Sequence, residues 1–325
     1  MSDPLALIEE IRLRHNVKST AAEFHAAVNV CFHRFESEVY DELHRDMWES
    51  LPREIELLAS ACVSVGAPER IRMLDIGCGT GLATDSLVRS SLGPRIAEID
   101  LLDTSTAMLS RAQKRRDEWQ RPGQTVEGIV ETLAPAKSYD LIITCSVLHH
   151  VPDLASFLRA VSGLQKDAPH ALFLHLQDPN GDFLDDPLKA ARNAEFAPFK
   201  IPESVARFKP SRILGRIKRE LTGEQGQDYI SKTNRELIKT GVIGSPLSVD
   251  ELFTITDIHV RDGGISIERM KGWLPDYDLV TQRSYAFFGA LSSQLPAALR
   301  TREDQYSRDG ELNGGHNAAA WRRKD

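Results

Sequence analysis

The chain has 325 residues, 41% of them hydrophobic and 27% charged, and carries a formal net charge of −7. No stretch approaches the ~18 consecutive apolar residues of a membrane span, and an acidic balance gives no overall pull toward nucleic-acid phosphates. A small-molecule substrate is therefore expected, with neither nucleic acid nor membrane as partner; a homodimer is left open. The opening MSDPLALIEEIRLRH lacks a basic start followed by an apolar run, so a cytoplasmic protein is expected. Cys31, Cys62, Cys78 and Cys145 stand far apart and read as free thiols.

From Asp3 to about Val65 apolar positions recur every three or four residues, predicting a helical cap over 1–68, with Pro52 separating two helices. Phe35, Tyr40, His44 and Trp48 fall at helical spacing and predict an aromatic stripe, mostly core packing. From 69 to 180 short apolar runs alternate with helical segments, which is the pattern of a doubly wound, mostly parallel α/β sheet. Strands are expected at Ile71–Ile76, Ile96–Leu102, Val126–Val130, Asp140–Thr144 and Ala171–Leu176, with helices after Gly81, near Ser105 and near Asp153. Prolines at 179, 187, 198, 202, 210 and 246 then break the chain into a helical lid insertion over 181–256. Within it a basic amphipathic helix, 211–221, reads as a solvated face. The remainder, 257–325, returns to the core with a helix in GISIERMKGWLP, a strand in YDLVTQRSYAFF and a last strand in NGGHNAAAWRR.

The strongest local signal is the apolar strand that runs into Asp75-Ile76-Gly77-Cys78-Gly79-Thr80-Gly81. Glycines allow positive φ and let a ligand approach the main chain without meeting a β-carbon. No lysine follows as in a phosphate-binding loop, and no third glycine completes GxGxxG. An acid ending the second strand can accept both hydroxyls of a ribose. Asp100 and Asp103 compete for that place. Asp103 is favoured because it follows Leu101-Leu102 and leads into a helix capped by Ser105, whereas Asp100 is expected within the strand, facing a solvated edge.

These segments resemble the class I S-adenosylmethionine-dependent methyltransferases. The turn fits DxGxGxG, Asp103-x-Ser105-x-x-Met108-Leu109 fits DxSxxML, and Tyr139-Asp140-Leu141-Ile142 is followed by Val147-Leu148-His149-His150-Val151. The resemblance covers roughly residues 70–180 and implies a Rossmann-like core with S-adenosylmethionine as cofactor. It implies that Asp75, Gly77, Cys78, Gly79 and Gly81 hold the methionine portion, and that Asp103, with Thr104 and Met108, holds the ribose. Glu131 and Thr132 would contact adenine, and Cys145 and Ser146 would border the sulfonium. The chain departs from the family's pattern at Glu131, where many members have aspartate, and at Gln165-Lys166-Asp167-Ala168-Pro169, where lysine-proline-glycine-glycine is common.

Methyl transfer from a sulfonium needs positioning, and a general base helps where the acceptor is a hydroxyl or protonated amine. His149 and His150 follow the fourth strand at the carboxyl edge, with His149 the one expected to face the pocket. His259 could enter from the lid, His175 with Gln177 reads as a satisfied buried histidine, and Tyr40 and His44 are further candidates for ligand contact. No HxH, HExxH or CxxC spacing is present, so no metal is expected. There is no NPPY-like or DPPY-like turn of the base-methylating enzymes, and no loop places the paired glutamates of the arginine methyltransferases. The reading is methyl transfer to a small organic acceptor in secondary metabolism, the alternative being a protein that binds S-adenosylmethionine without transferring its methyl group.

Overall fold

A computed structural model describes residues 5–133, 137–199, 228–261 and 263–324. The basic segment at 211–221 lies outside the described residues. The strands are β1 (Ile71–Ile76), β2 (Ile96–Asp103), β3 (Thr125–Glu127), β4 (Leu141–Cys145), β5 (Leu172–Pro179), β6 (Tyr277–Tyr285) and β7 (His316–Arg323). The helices are α1 (Ala6–Arg14), α2 (Ala21–Glu36), α3 (Tyr40–Leu43), α4 (Arg45–Ser64), α5 (Leu82–Val88), α6 (Thr106–Trp119) and α7 (Leu154–Leu164). They continue with α8 (Pro187–Phe196), α9 (Asp228–Lys239), α10 (Val249–Thr256), α11 (Ile258–Arg261), α12 (Ile267–Trp273) and α13 (Ala297–Arg308).

The strands form one sheet in the order β3-β2-β1-β4-β5-β7-β6. All neighbours from β3 to β5 pair in parallel, and β7 runs antiparallel to both β5 and β6. The sheet is Rossmann-like, mostly parallel, with helices on both faces. Central strands buried on both sides must be apolar at nearly every position, and alternation then divides them between two cores. Met73, Ile99, Leu101, Ile143 and Leu174 pack with α4, α5 and α6, while Leu74, Leu102, Ile142, Phe173 and Trp321 pack with α7 and α12. Ser105 caps α6 by accepting from Met108 N, and Asp153 caps α7 by accepting from Ser156 N at 2.9 Å.

A third core lies above the sheet's edge. Ile8, Ile11, Phe24 and Val28 of α1 and α2 pack with Leu237, Leu252, Ile255 and Ile258. The roof is thus assembled from sequence before the sheet and sequence between β5 and β6. Among the described residues no helix is long and apolar enough to cross a membrane.

The structure corrects four expectations. Pro52 does not separate helices but sits inside the single helix α4. Pro52 is the eighth residue of α4, past the first turn, so the helix runs on without that residue's main-chain hydrogen bond, and the break comes instead between α2 and α4, around the short α3. That break disperses the expected aromatic stripe, because Phe35 belongs to α2, Tyr40 to α3 and Trp48 to α4. The third strand is only three residues, and a 3₁₀ turn at Val130–Thr132 follows it. Asp100 does not face a solvated edge: it is fully buried, accepting from Tyr139 Oη at 2.8 Å, Lys137 Nζ at 3.0 Å and Gln124 N at 2.8 Å.

Candidate functional site

At the carboxyl ends of β1, β2 and β4 lies a cavity of about 390 Å³, where open α/β sheets place ligands. Its floor is backbone. Gly77 and Gly79 take φ of +64° and +52°, and a β-carbon on Gly77 would lie 2.6 Å from Val147 Cγ2, while one on Gly79 would meet nothing within 4 Å. Asp103, at the end of β2, accepts from Gly79 N at 2.9 Å and Ser105 N at 2.8 Å. Burial pushes its carboxyl up, and those backbone donors pull it back only in part. Each oxygen keeps a further lone pair for a ligand hydroxyl.

The turn is tied to the segment above it. Asp41 accepts from Thr80 Oγ1 at 2.6 Å and Arg115 Nη2 at 2.5 Å, and Arg115 also donates to Thr80 O at 2.8 Å while its guanidinium lies 4.1 Å from the Trp48 ring centre. This latch places Tyr40 over the floor, where it lines the cavity.

The roof carries the titratable groups. His33 Nδ1 lies 2.9 Å from Glu36 Oε2, and His44 Nε2 lies 3.4 Å from Glu36 Oε1. Burial lowers the His33 imidazole, but the hydrogen bond and charge of Glu36, aided by Asp103 and Asp257, more than reverse this and hold it above the usual histidine value. Burial raises the Glu36 carboxyl, yet His33 and His44 outweigh it and hold it at about 2. His150, whose ring centre is 5.1 Å from that of His33, is driven well below the usual value by burial and by the neighbouring His149 and His33.

Of the residues expected from sequence, the structure brings Tyr40, Gly77, Gly79, Asp103, Thr104, Met108, Glu131, Cys145, Ser146 and His150 to the cavity wall. Asp75, Cys78, Gly81, Thr132, His149 and His259 are not on it. Asp75 lies beneath the turn, accepting from Thr84 Oγ1 at 2.6 Å, and burial raises its carboxyl to about 7. Burial lifts the Cys78 and Cys145 thiols well above their ordinary value, which favours the protonated form of both. Thr132 turns back to Ile129 O at 2.8 Å. His149, expected to face the pocket, instead pairs through Nδ1 with Asp178 Oδ1 at 2.8 Å, and His150 takes the cavity side. His259 Nε2 lies 2.9 Å from Val151 O, so it fastens α11 to the loop after β4 rather than entering the site. His175, expected to be a satisfied buried histidine, is buried with both ring nitrogens unpartnered, and burial drops it to about 4.

His149, His150 and Asp257 bring one donor atom each within 4.8 Å of one another, a grouping no local spacing reveals because Asp257 comes from a distant segment. Nδ1 of His149 is taken by Asp178, and Nδ1 of His150 lies 2.6 Å from Thr256 O. The group as built is a clamp between the β4 loop and the roof. Sequence reasoning missed His25, Asn29, His33 and Glu36, although their spacing on a capped amphipathic helix was a usable signal.

The lining fits S-adenosylmethionine. The open space at Gly79, the carboxylate of Asp103 beside it and the apolar Leu102, Met108, Ile129 and Val130 match an amino-acid tail, a ribose and a flat base.

Residues 74–168 match the family described as "Methyltransferase domain". A ubiquinone biosynthesis O-methyltransferase from Albidiferax ferrireducens is 28% identical over 197 residues, covering 59% of this chain and 75% of that protein. One from Rhodopseudomonas palustris is 31% identical over 103 residues, 32% of this chain and 39% of the relative. Among solved structures, a putative sarcosine dimethylglycine methyltransferase from Galdieria sulphuraria aligns over 84% of this chain and 86% of that one, at 14% identity and a TM-score of 0.43. Residues 74–168 thus carry a methyltransferase domain, and the chain is an enzyme that takes its methyl group from S-adenosylmethionine.

Proposed function

We propose that the enzyme methylates a hydroxyl oxygen of a small, uncharged, largely apolar acceptor, with His33 as general base. The observation that carries this reading is the His33–Glu36 pair, 2.9 Å apart, on the roof of the cavity whose floor is Asp103 and the glycine turn. S-adenosylmethionine supplies a methyl carbon on a positively charged sulfur that leaves as a neutral thioether. Asp103, with Gly77, Gly79, Thr104 and Met108, would hold it, with Glu131 on the side of the adenine and Cys145 and Tyr40 on the side of the sulfonium.

His33 receives the acceptor's hydroxyl proton. Its Nδ1 is committed to Glu36, which leaves Nε2 for the substrate, and the carboxylate stabilises the imidazolium that forms. His150, kept neutral beside it, offers a second hydrogen bond without a competing charge. α1 and α2, with α9 to α11, act as the acceptor lid and exclude water. The curated relatives named as O-methyltransferases favour oxygen over nitrogen. Among the described lining residues there is no lysine or arginine, which favours an uncharged acceptor over an acid.

The test is a panel of neutral phenols, catechols, amines and carboxylates incubated with the protein and labelled S-adenosylmethionine. Methylation confined to hydroxyls, with S-adenosylhomocysteine formed in equal amount, is expected. Transfer to amines alone would reject the reading.

A further inference from the structure

Helix α2 lines the cavity with Ala22, His25, Ala26, Asn29, Val30 and His33, the three- and four-residue steps of one helix side. That side is itself divided. Ala22, Ala26 and Val30 make one row at intervals of four, and His25, Asn29 and His33 make a second, polar row beside it at the same interval. The methyl-transfer step uses only His33. Asn29 stands one turn and His25 two turns from it, about 6 Å per step.

The two unused groups are poorly served by the protein. Asn29 Nδ2 donates to His25 Nε2 at 3.4 Å, the outer limit of a hydrogen bond, and the Asn29 side chain makes no other hydrogen bond among the described residues. Polar groups closed off from water cost free energy unless they are bonded. Asparagine and histidine are also weaker helix formers than alanine or leucine, which would pack there. The same cavity is lined in part by the apolar Ile129, Val147, Val151, Pro152 and Phe157.

Resting on the reading that a hydroxyl is methylated against His33, we propose that Asn29, supported by His25, is the specificity contact of the acceptor site. It binds an uncharged hydrogen-bonding substituent, such as a hydroxyl, carbonyl or amide, about one helical turn from the methylated oxygen. A flat apolar body joins the two and lies along Ala26 and Val30. The charge state follows from the surroundings. Burial, with His33 and His259 nearby, lowers His25 to about 4 and keeps it neutral, so a carboxylate substituent would lose its hydration and gain no cation.

The experiment compares phenol, 4-hydroxybenzamide and 4-hydroxybenzoate as acceptors, and measures their binding to the S-adenosylhomocysteine-loaded protein by calorimetry. The benzamide is expected to show KM and Kd at least ~10-fold below those of the other two. Asn29→Leu, a good helix former, should abolish that preference with S-adenosylhomocysteine affinity unchanged, and the smaller Asn29→Ala should do the same. Turnover of all three without selectivity overturns the specificity contact and keeps the hydroxyl reading. Selective binding that depends on Asn29 but gives no methyl transfer does the reverse. Tighter binding of the benzoate, a preference that survives Asn29→Leu, or no binding of any of the three overturns the proposal.

Discussion

The floor and the roof of the cavity are held in place by different means. On the floor, Gly77 N and Cys78 N donate to Leu102 O at 2.7 and 3.1 Å, and Asp103 accepts from two backbone amides, so the geometry is fixed by main chain at the meeting of two parallel strands. On the roof, His25, Asn29, His33 and Glu36 are ordered by side-chain contacts along one helix, and the Asp41 latch and the clamp at His150 tie neighbouring parts of the roof to the loops below. A backbone-built floor tolerates few changes and suits a cofactor whose shape is constant. A side-chain-built roof can be rewritten one residue at a time and suits an acceptor that differs between enzymes.

Four measurements press on that contrast. The largest effect is expected from His33→Ala, which should lower kcat ~10²–10⁴-fold while leaving S-adenosylhomocysteine affinity unchanged; loss of cofactor binding would mean the roof also grips the cofactor. Asp103→Ala should weaken cofactor binding by ~1–3 kcal/mol in calorimetry, and unchanged affinity would remove the ribose from its place. Gly77→Ala should destabilise the fold by ~1–3 kcal/mol, read as a fall in Tm, because the new methyl meets Val147 at 2.6 Å. Adding Val147→Ala should restore part of that loss.

The smallest and sharpest effect is a shift on the pH axis. Activity needs unprotonated His33, so it rises with pH through a value that Glu36 holds above the ordinary histidine range. Glu36→Gln should move that acid limb to lower pH and reduce the plateau rate, and an unmoved limb would separate the pair from catalysis. The same carboxylate sits at about 2, below its ordinary 4.5, so its contribution to stability is present above pH 4.5 and lost as pH falls toward 2. The glutamine variant should lose that part of the acid sensitivity.

The floor was legible in sequence because its physics is local. A strand must be apolar and its turn must be glycine, within a few residues of each other, and the neighbouring strand one crossover later must end in an acid. Asp100 was misjudged because its partners, Lys137 and Tyr139, lie beyond the next crossover, and only folding brings them to it. The roof was opaque for the same reason. Phe24 and Val28 marked α2 as an ordinary amphipathic helix, and nothing near them in sequence says that the opposite side meets Ile129 and Val151 across a cavity. His149 and His150 show the limit within a single dipeptide, since the carboxylate that decides which ring turns inward is Asp178, on the following strand.

The antiparallel strand β7 has a consequence for the order of assembly. It lies between β5 and β6, so Phe173 cannot find Trp321, nor Leu174 find Ala320, until translation has passed residue 321. Everything from β1 to β5 can emerge and pair while the ribosome is still working, but one flank of β5 then stands as a bare row of amides and carbonyls, a template for stray pairing. The nascent enzyme therefore passes through a stage in which its methyl-donor pocket is nearly complete while its sheet is still adhesive, and chaperone capture should be strongest there.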